Sequence, residues 1–264
     1  MTMASRGSEA EVEQRRQSVL RQVADEGEVR IDDLARRLGV SVMTIHRDLD
    51  NLQDRKLLHK RRGFAAAFST VTMESSLRFR ENANQHVKEA ICEVLAAQVS
   101  PGNTVLLDCG STLFPLVRRL ADVEGIRVIT NSLRVTYLLG GAGVDVTLLG
   151  DTFYEDFESC AGPEIRRQLQ RIRVDIAFVT ATCVSEGKLY HPVREYAENK
   201  EAYLRIADRA ALAVDHTKFG RTATYAYGDL SGYDLLVTDA AVPEDELRTA
   251  RGLGLEIRIV DTEA

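Results

Sequence analysis

The chain has 264 residues, of which 44 % are hydrophobic and 28 % charged, and this balance excludes disorder over most of its length. No apolar run approaches the roughly 20 residues that cross a bilayer. The first residues also lack the apolar region of a secretory signal peptide. We therefore expect no membrane contact, no secretory signal and a cytoplasmic protein. The 34 basic and 40 acidic residues give a net charge of −6, and the length predicts two domains.

The four cysteines are widely spaced, with no CxxC pair and no histidine at a spacing typical of metal ligands. They are Cys92, Cys109, Cys160 and Cys183. This pattern predicts reduced thiols and argues against a zinc site or a redox motif. We therefore expect neither a metal nor another cofactor.

Charge is distributed unevenly, because residues 1–62 carry a net charge of +2 and the remainder −8. Lys60-Arg61-Arg62 forms an unbroken basic run next to Lys56 and His59. Such a run either contacts phosphates or is a solvated turn, and charge alone favours the turn.

Residues 13–58 predict three short helices. The first has an apolar face ending near Gly27, and a short extended piece then leads to the second, which Asp32 and Asp33 can cap. The second helix ends at Gly39, two residues before the cap of the third. Two short helices joined by a tight glycine-containing turn are typical of a helix-turn-helix.

The third helix begins after Ser41, a favourable N-cap, and carries an apolar stripe of Ile45, Leu49 and Leu52. With this stripe buried, its first turns face outward, as a recognition helix does when it contacts bases. The residues predicted to contact DNA from this segment are Ser41, Val42, Met43, Thr44, His46 and Arg47. The alternative is that they are surface residues of a small helical bundle.

Residues 56–67 predict a strand, a turn at Gly63 and a return strand. This would be a β-wing with basic residues at its tip, and Lys60, Arg61 and Arg62 are predicted to contact the DNA backbone. Residues 13–67 are thus expected to form a winged helix-turn-helix domain.

A long helix is predicted over 74–99, ended by Pro101-Gly102. We place a linker at 68–80 and a second domain at 81–264. The long helix connects the two domains and is the candidate for relaying a change between them.

The second domain alternates short apolar strands with helices. Seven strands are predicted, at 104–108, 127–130, 144–149, 175–179, 211–215, 235–239 and 257–260. This alternation implies an α/β fold with a mainly parallel sheet covered on both faces.

Polar residues end several of these strands, which is where ligands bind in parallel sheets. They are Asp108, Asn131, Asp151, Asp215 and Asp239. The loop Gly110-Ser111-Thr112 leaves a strand and opens a helix, so its N–H groups and hydroxyls can hold a phosphate, with Lys218 supplying positive charge. The alternative is that the hydroxyls are helix caps and Lys218 is an exposed loop cation.

Several motifs in both halves match one known family. In the first they are Arg15-Arg16, Leu34-Ala35-Arg36-Arg37-Leu38-Gly39-Val40-Ser41, Thr44-Ile45-His46-Arg47-Asp48-Leu49 and Leu57-Leu58. In the second they are Leu107-Asp108-Cys109-Gly110-Ser111-Thr112, Ile129-Thr130-Asn131-Ser132, Val214-Asp215-His216-Thr217-Lys218-Phe219-Gly220 and Val237-Thr238-Asp239. Through them the chain resembles the DeoR family of bacterial transcriptional regulators, over about 15–260.

The resemblance implies a repressor of a carbohydrate-metabolism operon that binds double-stranded operator DNA through its first domain. It implies a sensor domain similar in fold to ribose-5-phosphate isomerase and coenzyme A transferases, which binds a phosphorylated sugar or related metabolite. The implied effector-binding residues are Asp108, Gly110, Ser111, Thr112, Asn131, Ser132 and Lys218. Paired half-sites also imply a homo-oligomer.

Three features depart from the family pattern. His46 stands where the family usually has Arg, and the wing reads Arg61-Arg62-Gly63-Phe64-Ala65 in place of His-Gly-Gly-Ala. Asp151 follows Gly150 where the family often has a Gly-Gly pair, and a carboxylate near a phosphate repels it. Base preference and effector chemistry are therefore where this chain is expected to differ from the family.

Two other functions are weighed against the regulator. One is a sugar-phosphate isomerase-like enzyme with a DNA-binding head, in which Asp108, Asp215, Glu195 and Lys218 form an acid/base group. The other is a DNA-binding protein without a ligand, against which the polar strand ends argue. We expect a regulator and not an enzyme.

Overall fold

The structure is a computed structural model that describes residues 9–26, 28–54, 57–66 and 77–261. The chain divides after Arg80 into two compact units, each with its own hydrophobic core. None of the helices in these ranges combines the length and the apolar character that a bilayer span requires.

Helices and a small antiparallel sheet make up the first unit as far as residue 66. Its elements are α1 (Glu9–Glu26), β1 (Glu28–Arg30), α2 (Ile31–Leu38), α3 (Val42–Asp54), β2 (His59–Arg61) and β3 (Phe64–Ala66). Strand β3 lies between β1 and β2, which ties the wing to the segment between α1 and α2. Leu20, Leu34, Ile45, Leu49 and Leu52 are fully buried in this unit's core, so the predicted winged helix-turn-helix is confirmed.

The turn between α2 and α3 is built as the sequence predicts. Gly39 ends α2 in the left-handed conformation, with φ of 65°, and the N–H of Val40 donates to the carbonyl of Ala35 at 3.1 Å. Ser41 then caps α3, because its Oγ accepts from the N–H of Thr44 at 3.1 Å.

The predicted capping of α2 is wrong. The helix begins at Ile31, with Arg30 in the N-cap position and no side-chain hydrogen bond to cap it. Asp32 and Asp33 lie inside the first turn, where the positive end of the helix dipole favours carboxylates.

The predicted continuous helix over 74–99 is also wrong. The described part of that range contains two helices, α4 (Leu77–Asn82) and α5 (Gln85–Ala96), while residues 74–76 lie outside the described residues. Asn84 separates them with φ of 52°, a left-handed conformation that a right-handed helix cannot continue through. Asparagine is one of the few residues besides glycine that adopts this conformation readily.

The second unit is built around a parallel sheet. Its strands are β4 (Thr104–Leu107), β5 (Arg127–Thr130), β6 (Asp145–Leu148), β9 (Val174–Thr180), β12 (Ala207–Ala213), β14 (Leu235–Asp239) and β15 (Glu256–Val260). Shorter antiparallel strands are β7 (Thr152–Tyr154) with β8 (Ser159–Ala161), and β10 (Cys183–Ser185), β11 (Lys188–His191) and β13 (Tyr225–Asp229). The helices are α6 (Phe114–Leu120), α7 (Leu133–Gly141), α8 (Pro163–Leu169), α9 (Arg194–Ile206) and α10 (Glu244–Gly252).

The seven-stranded sheet has the order β15-β14-β12-β9-β4-β5-β6, with every neighbouring pair parallel. The predicted α/β fold is therefore confirmed. The chain builds outward from β4 to β5 and β6, then returns to β9 on the other side of β4 and continues to β12, β14 and β15. The connections thus diverge between β4 and β9, and such a switch point opens a crevice at the carboxyl ends of the two strands.

Candidate functional site

The first turns of α3 carry an exposed, mixed apolar and basic surface. Val42 is 40 % exposed, Met43 is 64 % exposed, and Arg47 is also exposed, whereas Thr44 and His46 are half-buried. This is the outward face that the apolar stripe predicts. Met43 and Val42 can contact a thymine methyl group, and Arg47 can contact guanine or a phosphate.

Ser41 and Thr44 bond to each other at the start of α3. Their hydroxyl oxygens lie 2.8 Å apart, in addition to the capping bond to Ser41 Oγ. Both hydroxyls therefore stabilise the helix start, and any contact they make to DNA is shared with this role.

A buried carboxylate fixes α3 against α1. Asp48 is 2 % exposed and accepts from Arg15 Nε at 2.6 Å and from Arg16 Nε at 3.1 Å. Charge-assisted bonds of this kind are short and directional. These three residues therefore fix the orientation of α3 against α1, and they are separate from the exposed residues of its first turns.

The wing presents its basic residues unequally. Lys60 Nζ pairs with Asp50, and the Lys60 N–H donates to Gln53 Oε1 at 2.7 Å. Arg61 is largely exposed, and Arg62 lies exposed in the turn with Gly63, whose φ is 80°. Lys56 and the His59 side chain lie outside the described residues.

The ends of β4 and β9 approach each other unusually closely at the switch point. Gly110, just after β4, faces Thr180 at the end of β9, and a Cβ on Gly110 would lie 2.1 Å from Thr180 Oγ1. Glycine is therefore required here for close packing. The next residues, Ser111–Leu113, form a single 3₁₀ turn that leads into α6, as the predicted loop does.

Asp108 lies buried at this point with a cation that the sequence reasoning missed. Its Oδ2 accepts from Thr180 Oγ1 at 2.7 Å and pairs with Lys200 Nζ, which also donates to the Thr180 carbonyl at 2.9 Å. Burial raises the pKa of the Asp108 carboxyl, but the Lys200 charge and these hydrogen bonds outweigh it and hold the pKa below its usual value. The second oxygen, Oδ1, is buried with no hydrogen-bond partner among the described residues.

A second buried lysine lies beside the predicted phosphate loop. Lys88 of α5 is 4 % exposed, and its Nζ donates to Ser111 Oγ at 3.3 Å. Both residues line a cavity of about 500 Å³. Thr112 is also buried, and its carbonyl accepts from Cys92 Sγ at 3.1 Å. Ammonium, hydroxyl and an opening of this size provide what an anionic ligand needs.

The end of β5 is committed mainly to the fold. Asn131 Nδ2 donates to the Cys160 carbonyl at 2.8 Å, and Ser132 Oγ caps α7 by accepting from the Val135 N–H at 3.3 Å. Asn131 Oδ1, however, is buried without a partner among the described residues. This oxygen, rather than Ser132, is the group there that can accept from a ligand hydroxyl.

Lys218 belongs to the same electrostatic neighbourhood. It ends a 3₁₀ turn that Asp215 caps. Burial raises the pKa of Asp215, but the charges of Lys218 and Lys88 and hydrogen bonds from Thr217 lower it on balance. Lys218 and Lys88 therefore both lie within electrostatic range of one carboxylate.

Asp151 has a structural use that the sequence reasoning did not foresee. Its carboxylate accepts from the N–H groups of Thr152 and Glu164, at 2.7 and 2.5 Å, and so caps the start of α8. Burial raises its pKa, but these backbone hydrogen bonds lower it on balance. A Cβ on Gly162, whose φ is 150°, would lie 2.4 Å from this carboxyl group. The negative charge is therefore balanced by a helix N-terminus.

Lys88 and Lys200 are the site residues that sequence reasoning missed. Each interrupts the buried stripe of its helix, Lys88 beside Val87 and Ile91, and Lys200 between Tyr196 and Tyr203. A lysine in an apolar stripe is a signal, because ammonium groups are almost never buried without a partner.

The four cysteines are buried thiols, and the described residues contain no cluster of His, Cys, Asp or Glu suited to a metal ion.

Two protein families match the chain in the order of its two units. The DeoR-like helix-turn-helix domain matches residues 15–71, and the DeoR C terminal sensor domain matches residues 83–240. The second match alone spans more than half of the chain.

Curated relatives share nearly the whole length. An uncharacterized HTH-type transcriptional regulator of Escherichia coli strain K12 is 29 % identical over 95 % of this chain and 98 % of its own. A putative aga operon transcriptional repressor of Escherichia coli O157:H7 is 26 % identical over 94 % and 93 %. The glycerol-3-phosphate regulon repressor of Escherichia coli strain K12 is 28 % identical over 87 % and 92 %.

The solved structures that match the chain are more remote. Ribose 5-phosphate isomerase A from Neisseria gonorrhoeae is 12 % identical, with a TM-score of 0.37 over 50 % of this chain and 52 % of that chain. The match spans about half of each chain, so it bears on neither activity nor ligand.

Proposed function

This chain belongs to the DeoR family of DNA-binding transcriptional regulators, and we propose that it represses a carbohydrate operon until a phosphorylated sugar binds its second unit. The observation that carries the effector half is the contact of Lys88 Nζ with Ser111 Oγ in the lining of a cavity beside the switch point. The glycerol-3-phosphate regulon repressor among the curated relatives supports a phosphorylated metabolite.

The DNA-binding half uses α3 for the bases and the wing for the backbone. Met43, His46 and Arg47 present the side chains that read the major groove, and Arg61 and Arg62 contact phosphates beside it. Lys60 contributes less, because Asp50 already neutralises it. Base contacts set specificity, whereas the wing sets affinity and its dependence on salt.

The effector half divides its polar groups by chemistry. The phosphoryl group lies against Ser111 and Lys88, which line the cavity, while Lys218 adds positive charge from the loop after β12. Thr112, Asp108 and Asn131 lie outside the lining of this cavity. The buried acceptors without partners, Asp108 Oδ1 and Asn131 Oδ1, suit the hydroxyl groups of a sugar or polyol that extends from the phosphoryl group.

We expect binding without catalysis at this site. A general base works best with a pKa near the operating pH, but the pKa values of Asp108 and Asp215 are both lowered. Asp108 is also tied to Lys200 and Thr180 by its own chain. An isomerase would need one of these carboxylates to accept a substrate proton.

The proposed binding of operator DNA has consequences for the oligomeric state and the location of the protein. Paired half-sites need paired DNA-binding units, so we expect a homo-oligomer. Because its partner is operator DNA, we expect it to act in the cytoplasm.

The test is a thermal-shift screen of the purified protein against sugar phosphates and the matching free sugars. Hits are then added to a binding assay with DNA from upstream of its own gene and its neighbours. We expect a phosphorylated compound to raise the melting temperature and weaken DNA binding, and Lys88→Met to abolish both effects. Arg47→Ala is the matched control, which loses DNA binding but keeps the thermal shift. Equal shifts with free sugars, or no shift with any compound, would refute the phosphate site.

A further inference from the structure

The proposed effector cavity contains more positive charge than a single lysine. Lys88, Arg118 and Arg134 line it, together with Glu81 and Glu89. The cavity lies between α5, α6 and α7, entirely within the second unit, which begins at Glu81. A ligand that reaches Lys88 is therefore also exposed to the neighbouring charged groups.

Arg134 is held in this cavity with unused hydrogen-bonding capacity. One terminal nitrogen lies 2.5 Å from Glu81 Oε1, and the other lies 3.9 Å from Glu158 Oε2, too far for a hydrogen bond. The guanidinium packs over the Phe114 ring at 5.4 Å. Its Nε is buried with no partner among the described residues. A planar group with five N–H donors thus has one close carboxylate partner.

Glu81, the partner of Arg134, lies at the boundary between the two units. Glu81 belongs to α4, the short helix through which the chain enters the second unit. Two residues after α4 comes Asn84, whose left-handed conformation separates α4 from α5. The Glu81–Arg134 ion pair therefore attaches α4 to α7 across a break in the helix.

We propose that Arg134 is an additional effector-contacting residue and that the bound phosphoryl group takes it from Glu81. The proposal rests on the function proposed above. A phosphoryl group carries more charge than a carboxylate and accepts two parallel bonds from a guanidinium, and Lys88 reinforces it in the same cavity. Glu81 then faces a like charge without its partner, so α4 detaches from α7.

The exchange gives the effector a physical route to the DNA-binding unit. Effector binding and attachment of α4 compete for one arginine, so each weakens the other to the same extent. The helix that is released spans the boundary between the two units, since residues 77–80 belong to the first unit and residues 81–82 to the second.

The test uses inorganic phosphate as the probe and the full chain as the sample. Glu81→Gln keeps the shape of the side chain but removes its charge, so we expect phosphate affinity by calorimetry to rise about two- to fivefold. Amide hydrogen exchange over Leu77–Asn82 reports the attachment of α4. In wild type, phosphate should speed this exchange, and in Glu81→Gln exchange should be fast without phosphate. Arg134→Lys should weaken phosphate binding and remove the response of α4.

Glu198→Gln is the matched control, because it removes the charge that pairs with Arg166 at 2.9 Å and with Arg194 at 2.7 Å, and none of these residues lines the cavity. It should change neither the phosphate affinity nor the amide hydrogen exchange of α4. The proposed change of partner by Arg134 would be overturned if Glu81→Gln left the phosphate affinity unchanged. It would also be overturned if phosphate did not alter the amide hydrogen exchange of α4 in wild type. If Lys88→Met still abolished phosphate binding, the proposed effector site would survive that result. Absence of phosphate binding in wild type would overturn both.

Discussion

Replacing Gly110 with alanine should damage the second unit, because its Cβ would overlap Thr180. The new carbon would lie 2.1 Å from Oγ1, 2.6 Å from Cγ2 and 2.7 Å from Cβ of Thr180. The strands cannot simply separate, since β4 and β9 are paired up to Leu107 and Phe178. Rotating Thr180 away would remove its hydroxyl bond to the buried carboxylate of Asp108. Overpacking of this kind costs about 1–3 kcal/mol.

Thermal unfolding measures this cost. At about 2–4 °C per kcal/mol for a domain of this size, we expect the melting temperature of the second unit to fall by about 2–12 °C. Gly140→Ala is the matched control, because Gly140 lies within α7 with nothing within 4 Å of the added carbon. It should leave the melting temperature unchanged or raise it slightly, since alanine favours the helix. An unchanged melting temperature and an unchanged response to phosphate in Gly110→Ala would refute the close approach at the switch point.

Three further predictions follow from charged residues. Asp108→Asn leaves Lys200 buried without its partner and should lose about 3–5 kcal/mol of unfolding free energy at neutral pH. The pKa of Asp108 is lower in the folded state, so the difference in unfolding free energy between wild type and Asp108→Asn is complete above about pH 4. This difference is lost as pH falls towards the lowered pKa. Denaturant titrations at several pH values should therefore give the same stability for the two proteins in acid. Asp48→Ala removes the acceptor for two arginines and should lower the unfolding free energy of the first unit by about 1–3 kcal/mol, and its melting temperature with it. A mutant as stable as wild type would contradict the role of Asp48 in holding α3 against α1. Arg62→Ala should reduce the salt dependence of DNA binding by about one phosphate contact without changing stability, whereas Lys60→Ala, whose charge is already paired, should change it less, and equal effects would count against this distinction.

The parallel sheet and the helix-turn-helix could be predicted because their signals are local. Apolar strand runs mark every strand of the seven-stranded sheet, and Gly39 and Ser41 mark the turn before α3. The short antiparallel strands of the second unit were missed, because three- to five-residue segments such as Thr152–Tyr154 carry too little periodicity when no turn signal marks them. The break at Asn84 was missed for a related reason, since asparagine does not by itself interrupt a helical pattern.

The candidate site was predicted as a loop but not as an electrostatic arrangement. The segment from Asp108 to Thr112 follows a buried strand, which is visible in sequence. Its partners Lys88 and Lys200 come from distant helices, 23 residues from Ser111 and 92 residues from Asp108. No local pattern links residues so far apart, so only the topology of the sheet brings them together.

The clamp on Asp48 separates the support of the recognition helix from its reading surface. Asp48, which holds α3 against α1, lies on the buried side of the helix, and the exposed residues of its first turns, such as Met43 and Arg47, contribute little to the core. Under the proposed function, we expect substitutions at the exposed positions to change which operator is bound while the stability of the first unit stays the same. The same separation allows a helix of this kind to be given a new DNA sequence preference without redesign of the core that holds it.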